Sequence, residues 1–179
     1  TDAFNVAVGH SAGTAITTGI KNTLIGGLAG DALTDADFNV AVGFEALAAD
    51  TLGTGSVAIG RAALEAQNFT TATTTYNVAV GHHAGLSVTT GTFNNLIGGL
   101  AGDALTVGTR NVAVGNSALS TDTKGSKSVA IGPNALFAQN FSTATDTFNT
   151  AVGADAGLAV TTGIKNVLIG ANAGQALTD

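Results

Sequence analysis

Cysteine and methionine are both absent from this 179-residue chain. Without Cys there is no disulfide framework and no thiolate to act as ligand or nucleophile, and the redox compartment leaves no mark on the sequence. Charge is scarce too: 10% of residues are charged, twelve acids against six Lys and Arg, for a net charge of −6. Phosphate binding needs clustered cations, so nucleic acid is not expected as a partner. No apolar run approaches the roughly 20 residues that cross a bilayer, and no membrane insertion by this segment is expected. The sequence does not begin with Met, and no signal peptide or linker is expected within it. The abundance of Thr, Gly, Ala and Asn is instead usual for surface and extracellular structural proteins.

What the chain does have is one phrase said ten times: Asn or Ser, two residues, Val or Ile, Gly, two residues, Ala. The marker glycines are Gly9, Gly26, Gly43, Gly60, Gly81, Gly98, Gly115, Gly132, Gly153 and Gly170. Their steps run 17, 17, 17, 21 and then repeat, so four rungs make one higher-order unit, from Gly9 to Gly81 and again from Gly81 to Gly153. NVAVGHSAG at Asn5 returns as NVAVGHHAG at Asn77, and LIGGLAGDALT at Leu24 returns at Leu96. A fixed period of this kind marks a solenoid. The expectation is an all-β, parallel β-solenoid or β-roll of about ten coils, forming a single domain over 1–179. Thr1 falls mid-rung, in register with Thr73 and Thr145, and Asp179 also stops mid-rung, so the chain reads as an excerpt of a longer fibrous protein.

Positions within a rung are counted from its marker Gly as zero. Position −4 is the Asn or Ser column, whose side chains can bond along the stack as amide ladders do. Position −1 is Val or Ile in every rung and reads as an inward β-branched column. Position −2 should then face outward, yet it is never polar. Ala7, Leu24, Ala41, Ala79, Leu96, Ala113, Ala151 and Leu168 are accordingly the candidate subunit interface, with Ala58 and Ala130 in the same column. The marker glycines form the structural corner, where positive φ or tight packing bars a side chain. Ala at +3 in every rung leaves that corner room for one methyl group. Position +4 reads Gly, Gly, Leu, Leu and repeats. A second short strand is expected through +6, mostly Ala, and +8, mostly Thr. The four extra residues of the long rungs, in AQNFTTATTTY from Ala66 and AQNFSTATDTF from Ala138, should bulge as a loop on one stripe.

The phrases SVAIG at Ser56 and Ser128, and NVAVG at Asn5, Asn39, Asn77 and Asn111, resemble the head repeats of YadA-like trimeric autotransporter adhesins and related repeats of phage tail fibres. That resemblance implies a left-handed parallel β-roll, three chains side by side, and binding to host surfaces or matrix. The rungs here are longer than the adhesin turn of about 14 residues.

Several residues suggest chemistry, and each has a plainer reading. His10 and His82 occupy equivalent positions in successive four-rung units, with His83 beside the second, but Ala154 fills the third copy and no carboxylate completes a ligand set. Asp31 and Asp103 in GLAGDAL lack the nine-residue rhythm of calcium-binding repeats. Glu45, Glu65, Asp50, Asp122 and Asp155 scatter over different columns rather than pairing in a groove. No GxGxxG or GxSxG motif occurs. The expectation is therefore no enzyme, no metal and no cofactor. Thr17, Thr34, Thr51 and Thr89 raise ice binding as an alternative, against an inward Thr ladder that satisfies stacked backbone groups. Phe4, Phe38, Tyr76, Phe93 and Phe148 are the candidate ligand stripe, for carbohydrate. Lys21, Arg110, Lys127 and Lys165 share that column, which places it near the surface. The function expected is mechanical: an extracellular, cell-surface or virion fibre shaft with an adhesive role, assembled with itself as a homotrimer or filament, and meeting a surface glycan or host receptor.

Overall fold

The computed structural model describes residues 3–179; the register reading of Thr1 lies outside them. Among the described residues, fourteen short strands are all parallel in their pairings. Ten of them, one per rung, stack into a single sheet in chain order: β1 (Val6–Val8), β2 (Thr23–Ile25), β3 (Val40–Val42), β5 (Val57–Ile59), β7 (Val78–Val80), β8 (Asn95–Ile97), β9 (Val112–Val114), β11 (Val129–Ile131), β13 (Thr150–Val152) and β14 (Val167–Ile169). The register is constant, with position −3 opposite −3, −2 opposite −2 and −1 opposite −1 in each neighbour. The fold is the β-solenoid the repeat implies. At about 4.8 Å per strand, ten rungs make a rod on the order of 50 Å long.

The remaining strands occur only where a long rung follows a short one. β4 (Gly53–Thr54) pairs with β6 (Thr73–Thr74), and β10 (Gly125–Ser126) with β12 (Thr145–Asp146). Positions +6 to +8, expected to form a second strand in each coil, instead follow consecutive turns. The backbone between the first strand and these positions alternates hand: residues at +2 and +4, such as Glu45 and Leu47, sit at φ of 59° and 54°. The strand at −3 to −1 therefore ends before those left-handed residues.

All ten marker glycines have φ between +121° and +143°. At Gly81 a Cβ would strike the carbonyl of Gly98 in the rung beyond. The corner is closed from two directions, by φ and by the next coil.

The two faces of the strand are reversed relative to expectation. Position −2 points inward: Leu24, Ala41, Ala58, Ala79, Leu96, Ala113, Ala130 and Ala151 are completely buried. Ala7 and Leu168 hold the same position in the terminal rungs and are less covered. This column is the wall of the core, not the candidate interface. The Val and Ile at −1 point outward, with Ile25 and Ile97 about two-fifths exposed (40% and 41%). The physical reason is width. The coil is so thin that −2, the +3 Ala column and the +4 and +7 columns meet inside it, and only small residues fit repeatedly.

That crowding also accounts for the four-rung unit. Where −2 is Leu24, position +4 is Gly30, and a Cβ on that glycine would lie 2.8 Å from Leu24 Cδ2. Where +4 is Leu47 or Leu64, position −2 is Ala41 or Ala58. Gly85 is overlaid by Leu96 from one neighbouring rung and Leu64 from the other, at 2.8 Å and 3.0 Å from where its Cβ would be. Large residues fill the space that small ones leave, within a rung and between rungs, as close packing requires.

Candidate functional site

Three features of the rod have enough side-chain organisation to act as sites: the interior polar ladder, the outer sheet face and the column at −5.

The interior ladder is made by the asparagines at −4. Asn94 is typical. Its Nδ2 donates to the carbonyl of Gly108 at 2.9 Å, and its Oδ1 accepts the backbone N–H of Asn111 at 3.0 Å. The carbonyl lies near the end of the same 17-residue rung, and the N–H opens the next one. The same two bonds recur from Asn22 to Ala36 and Asn39, and from Asn111 to Gly125 and Ser128. Each buried amide thus satisfies two backbone groups that the turns would otherwise orphan. Among the described residues the one buried side-chain nitrogen or oxygen without a partner is Asn166 Nδ2.

The ladder changes hands at Ser56 and Ser128, whose short side chains cannot span a rung. A buried cluster takes over. Gln67 Oε1 accepts from Asn77 Nδ2 at 2.8 Å, while Gln67 Nε2 donates to Ser56 Oγ at 3.0 Å and to Asp50 Oδ2 at 2.6 Å. Asp50 Oδ1 accepts the backbone N–H groups of Gly53 and Phe69. Gln139, Ser128, Asp122, Gly125, Phe141 and Asn149 repeat the arrangement one four-rung unit further on. The four-residue insertion is therefore not a simple outward bulge. It brings Phe69 and Phe141 down onto the coil, nearly buried, while Asn68, residues 70–72 and Thr74 stay exposed around Phe69.

Sequence reasoning missed this cluster. Position +7 reads Ile16, Leu33, Asp50, Gln67, Val88, Leu105, Asp122, Gln139, Val160, and an interior column that turns polar in two of every four rungs was the available signal. Asp50 and Asp122 share this column, while Glu45 and Asp155 share +2, and Glu65 stands at +5. Neither buried carboxylate has another beside it to divide acid and base roles.

The remaining site residues are at the surface. Asp31, Glu45 and Glu65 rim an open depression of about 340 Å³, but no group of three His, Cys, Asp or Glu able to hold a metal ion occurs among the described residues. His82 and His83 stack at 3.8 Å between ring centroids, with Arg61 Nη1 2.6 Å from His83 Nε2. His83 is held below the usual imidazole range, first by partial desolvation and then by repulsion from His82 and Arg61. The +8 threonines do form a ladder, but on the coil surface rather than inside it. Thr17, Thr34, Thr89 and Thr106 each donate their hydroxyl to the backbone carbonyl one rung ahead, and Thr51 and Thr123 donate to Phe69 and Phe141.

Column −5 holds Phe4, Lys21, Phe38, Gly55, Tyr76, Phe93, Arg110, Lys127, Phe148 and Lys165. Every one has positive φ, between 46° and 62° for the nine non-glycines. The aromatics are exposed: Phe4, Phe38, Tyr76, Phe93 and Phe148 form one line along the rod. Adjacent rungs touch across it. Lys21 lies over the Phe38 ring at 5.0 Å, Arg110 over Phe93 at 5.5 Å, Lys127 over Phe148 at 5.0 Å, and Tyr76 meets Phe93 at 6.0 Å.

The outer sheet face is the plainest surface of all. Columns −3 and −1 present Val, Thr, Asn and Ile at twenty positions, and none is charged.

No protein family, curated protein or solved structure matches the chain.

Proposed function

We propose that this chain is a self-associating structural rod, the shaft of an extracellular, cell-surface or virion fibre that holds an adhesive tip or surface away from its anchor. One observation carries the reading: the uncovered β-branched outer face. A parallel sheet is normally covered on both sides, and here the coil covers only the inner one. Ten rungs of about 4.8 Å by a three-residue strand of about 10 Å present roughly 500 Å² of nearly flat apolar surface. Two such faces in contact would remove about 1,000 Å², the size at which specific interfaces begin. The area also grows with each further rung, so longer rods associate more tightly. Side-by-side packing into a homotrimer or thicker filament is the assembly that fits, and it agrees with the resemblance of the NVAVG and SVAIG phrases to trimeric adhesin heads.

The alternatives draw less support. In an ice-binding reading the Thr hydroxyls should be free to face water, whereas they donate along the stack. An enzymatic reading would want two carboxylates facing each other in a cleft, and Asp50 and Asp122 are sealed inside and four rungs apart.

Sedimentation equilibrium tests the proposal directly. The unmodified chain should sediment as a trimer or larger species, and Ile59→Lys/Ile97→Lys should sediment as a monomer with an unchanged β circular-dichroism spectrum. A strict monomer across the micromolar range, or a variant that stays assembled, would overturn it.

A further inference from the structure

The column at −5 has a composition unlike the rest of the molecule. It holds four of the six Lys and Arg and five of the nine aromatic residues, eight Phe and one Tyr, in a chain of net charge −6. Its backbone does not ask for these residues. Left-handed φ favours Gly, Asn and Asp, and Gly55 shows that a glycine is accepted there. Nine large side chains instead occupy left-handed backbone positions along one outer line.

The order along the column is informative. Phe38, Gly55, Tyr76 and Phe93 are bracketed by Lys21 and Arg110, and Phe148 by Lys127 and Lys165. Gly55 gives the Tyr76 ring room to lie along the rod, since a Cβ there would be 3.1 Å from Tyr76 Cδ1. Lys21 and Arg110 are five rungs apart, about 24 Å. Two carboxylates lie nearby: Asp37, which accepts the N–H of Ile20, and Asp146, which pairs with Lys127 at 2.6 Å.

We propose that this column is a binding stripe for an acidic polysaccharide running along the rod, its sugar rings stacked on Phe38, Tyr76 and Phe93 and its carboxylates met by Lys21 and Arg110. The ligand class follows from charge spacing. A nucleic acid strand carries a charge about every 3.4 Å, and most of them would face an acidic rod with no cation opposite. A neutral polysaccharide would leave the bracketing cations, which lie over Phe38 and Phe93, with no opposite charge from the ligand. A chain with sparse carboxylates matches cations set several rungs apart, and its apolar ring faces match the aromatics. The proposal deepens the adhesive part of the fibre reading, and it places the ligand beside the outer sheet face, separated from it by the inward asparagines.

Titration calorimetry with hyaluronan oligosaccharides, which carry one carboxylate per disaccharide, is the test. The full chain should bind, and binding should weaken with added salt. Asn suits left-handed φ, so Tyr76→Asn/Phe93→Asn should leave the coil folded and reduce affinity by about tenfold, the factor that 1.4 kcal/mol represents. Lys21→Asn/Arg110→Asn should remove most of the salt dependence. Absence of binding at low salt, equal binding of neutral dextran, tighter binding of oligo-thymidylate, or affinity unmoved by either double variant would each overturn the stripe. So would loss of the oligomer in the aromatic variant, which would make the column an assembly seam. A wild-type monomer that binds hyaluronan with the expected salt and variant dependence would keep the stripe and overturn only the self-associating rod.

Discussion

Replacing Asn94 with Ala isolates what one rung of the interior ladder contributes. The side chain is fully buried, and its removal strands the N–H of Asn111 and the carbonyl of Gly108, both of them buried residues. It also takes a 3.3 Å donor away from Asn77 Oδ1, which keeps the backbone N–H of residue 94 as its remaining donor. Each unsatisfied buried group costs about 1–3 kcal/mol, so Asn94→Ala should destabilise by about 2–6 kcal/mol, against a typical domain stability of about 5–15 kcal/mol. Asn94→Asp separates the two legs, because a carboxylate still accepts from Asn111 but cannot donate to Gly108. Urea unfolding gives the free energies, and amide hydrogen exchange reads Asn111 directly: its protection should fall in Asn94→Ala and survive in Asn94→Asp. A loss under about 1 kcal/mol with Asn111 still protected would refute the ladder as a source of stability.

Gly81→Val should cost several times more than a surface substitution and melt its neighbours with it, since the corner cannot hold a Cβ and coil energetics couple adjacent rungs; an unchanged melting curve would remove the corner argument. Asp50→Ala should destabilise by about 3 kcal/mol, because the Gly53 and Phe69 amides and the Gln67 side chain lose their acceptor, whereas Asp31→Ala on the surface should stay within about 0.5 kcal/mol by the same thermal melt. His83 should titrate below an ordinary imidazole in NMR, and Arg61→Gln should move its midpoint up by removing one of the repelling charges; a midpoint that does not rise would mean burial and His82 account for the whole effect.

Much of this molecule was open to reading in one dimension. The marker glycines and the constant spacing were enough for the solenoid, its parallel strands and the number of coils, because a coil that stacks on its own copies must repeat each position in register. The asparagine column announced an amide ladder for the same reason. The Phe4, Phe38, Tyr76, Phe93 and Phe148 column could be placed at the surface from the Lys and Arg that alternate with it.

The direction of the strand's two faces could not be read from alternation, because Val or Ile at −1 and Ala or Leu at −2 are both apolar and period two has no sign. Only the width of the closed coil decides it: the small column goes in, the β-branched column goes out, and the interface assignment moves with them. A trace of that outcome lay in the pairing of Leu24 with Gly30 and of Ala41 with Leu47, which is how two columns sharing one cavity must vary. The cluster around Asp50 and Gln67 was hidden differently. Its members are strung along the chain from Asp50 to Asn77 and act as a unit only because a long rung folds Phe69 and Thr75 back over a short one. The sequence by itself determined the repeat, the stacking and the columns; tertiary closure alone decided which columns share the interior, because volume and buried hydrogen bonds are properties of the whole coil.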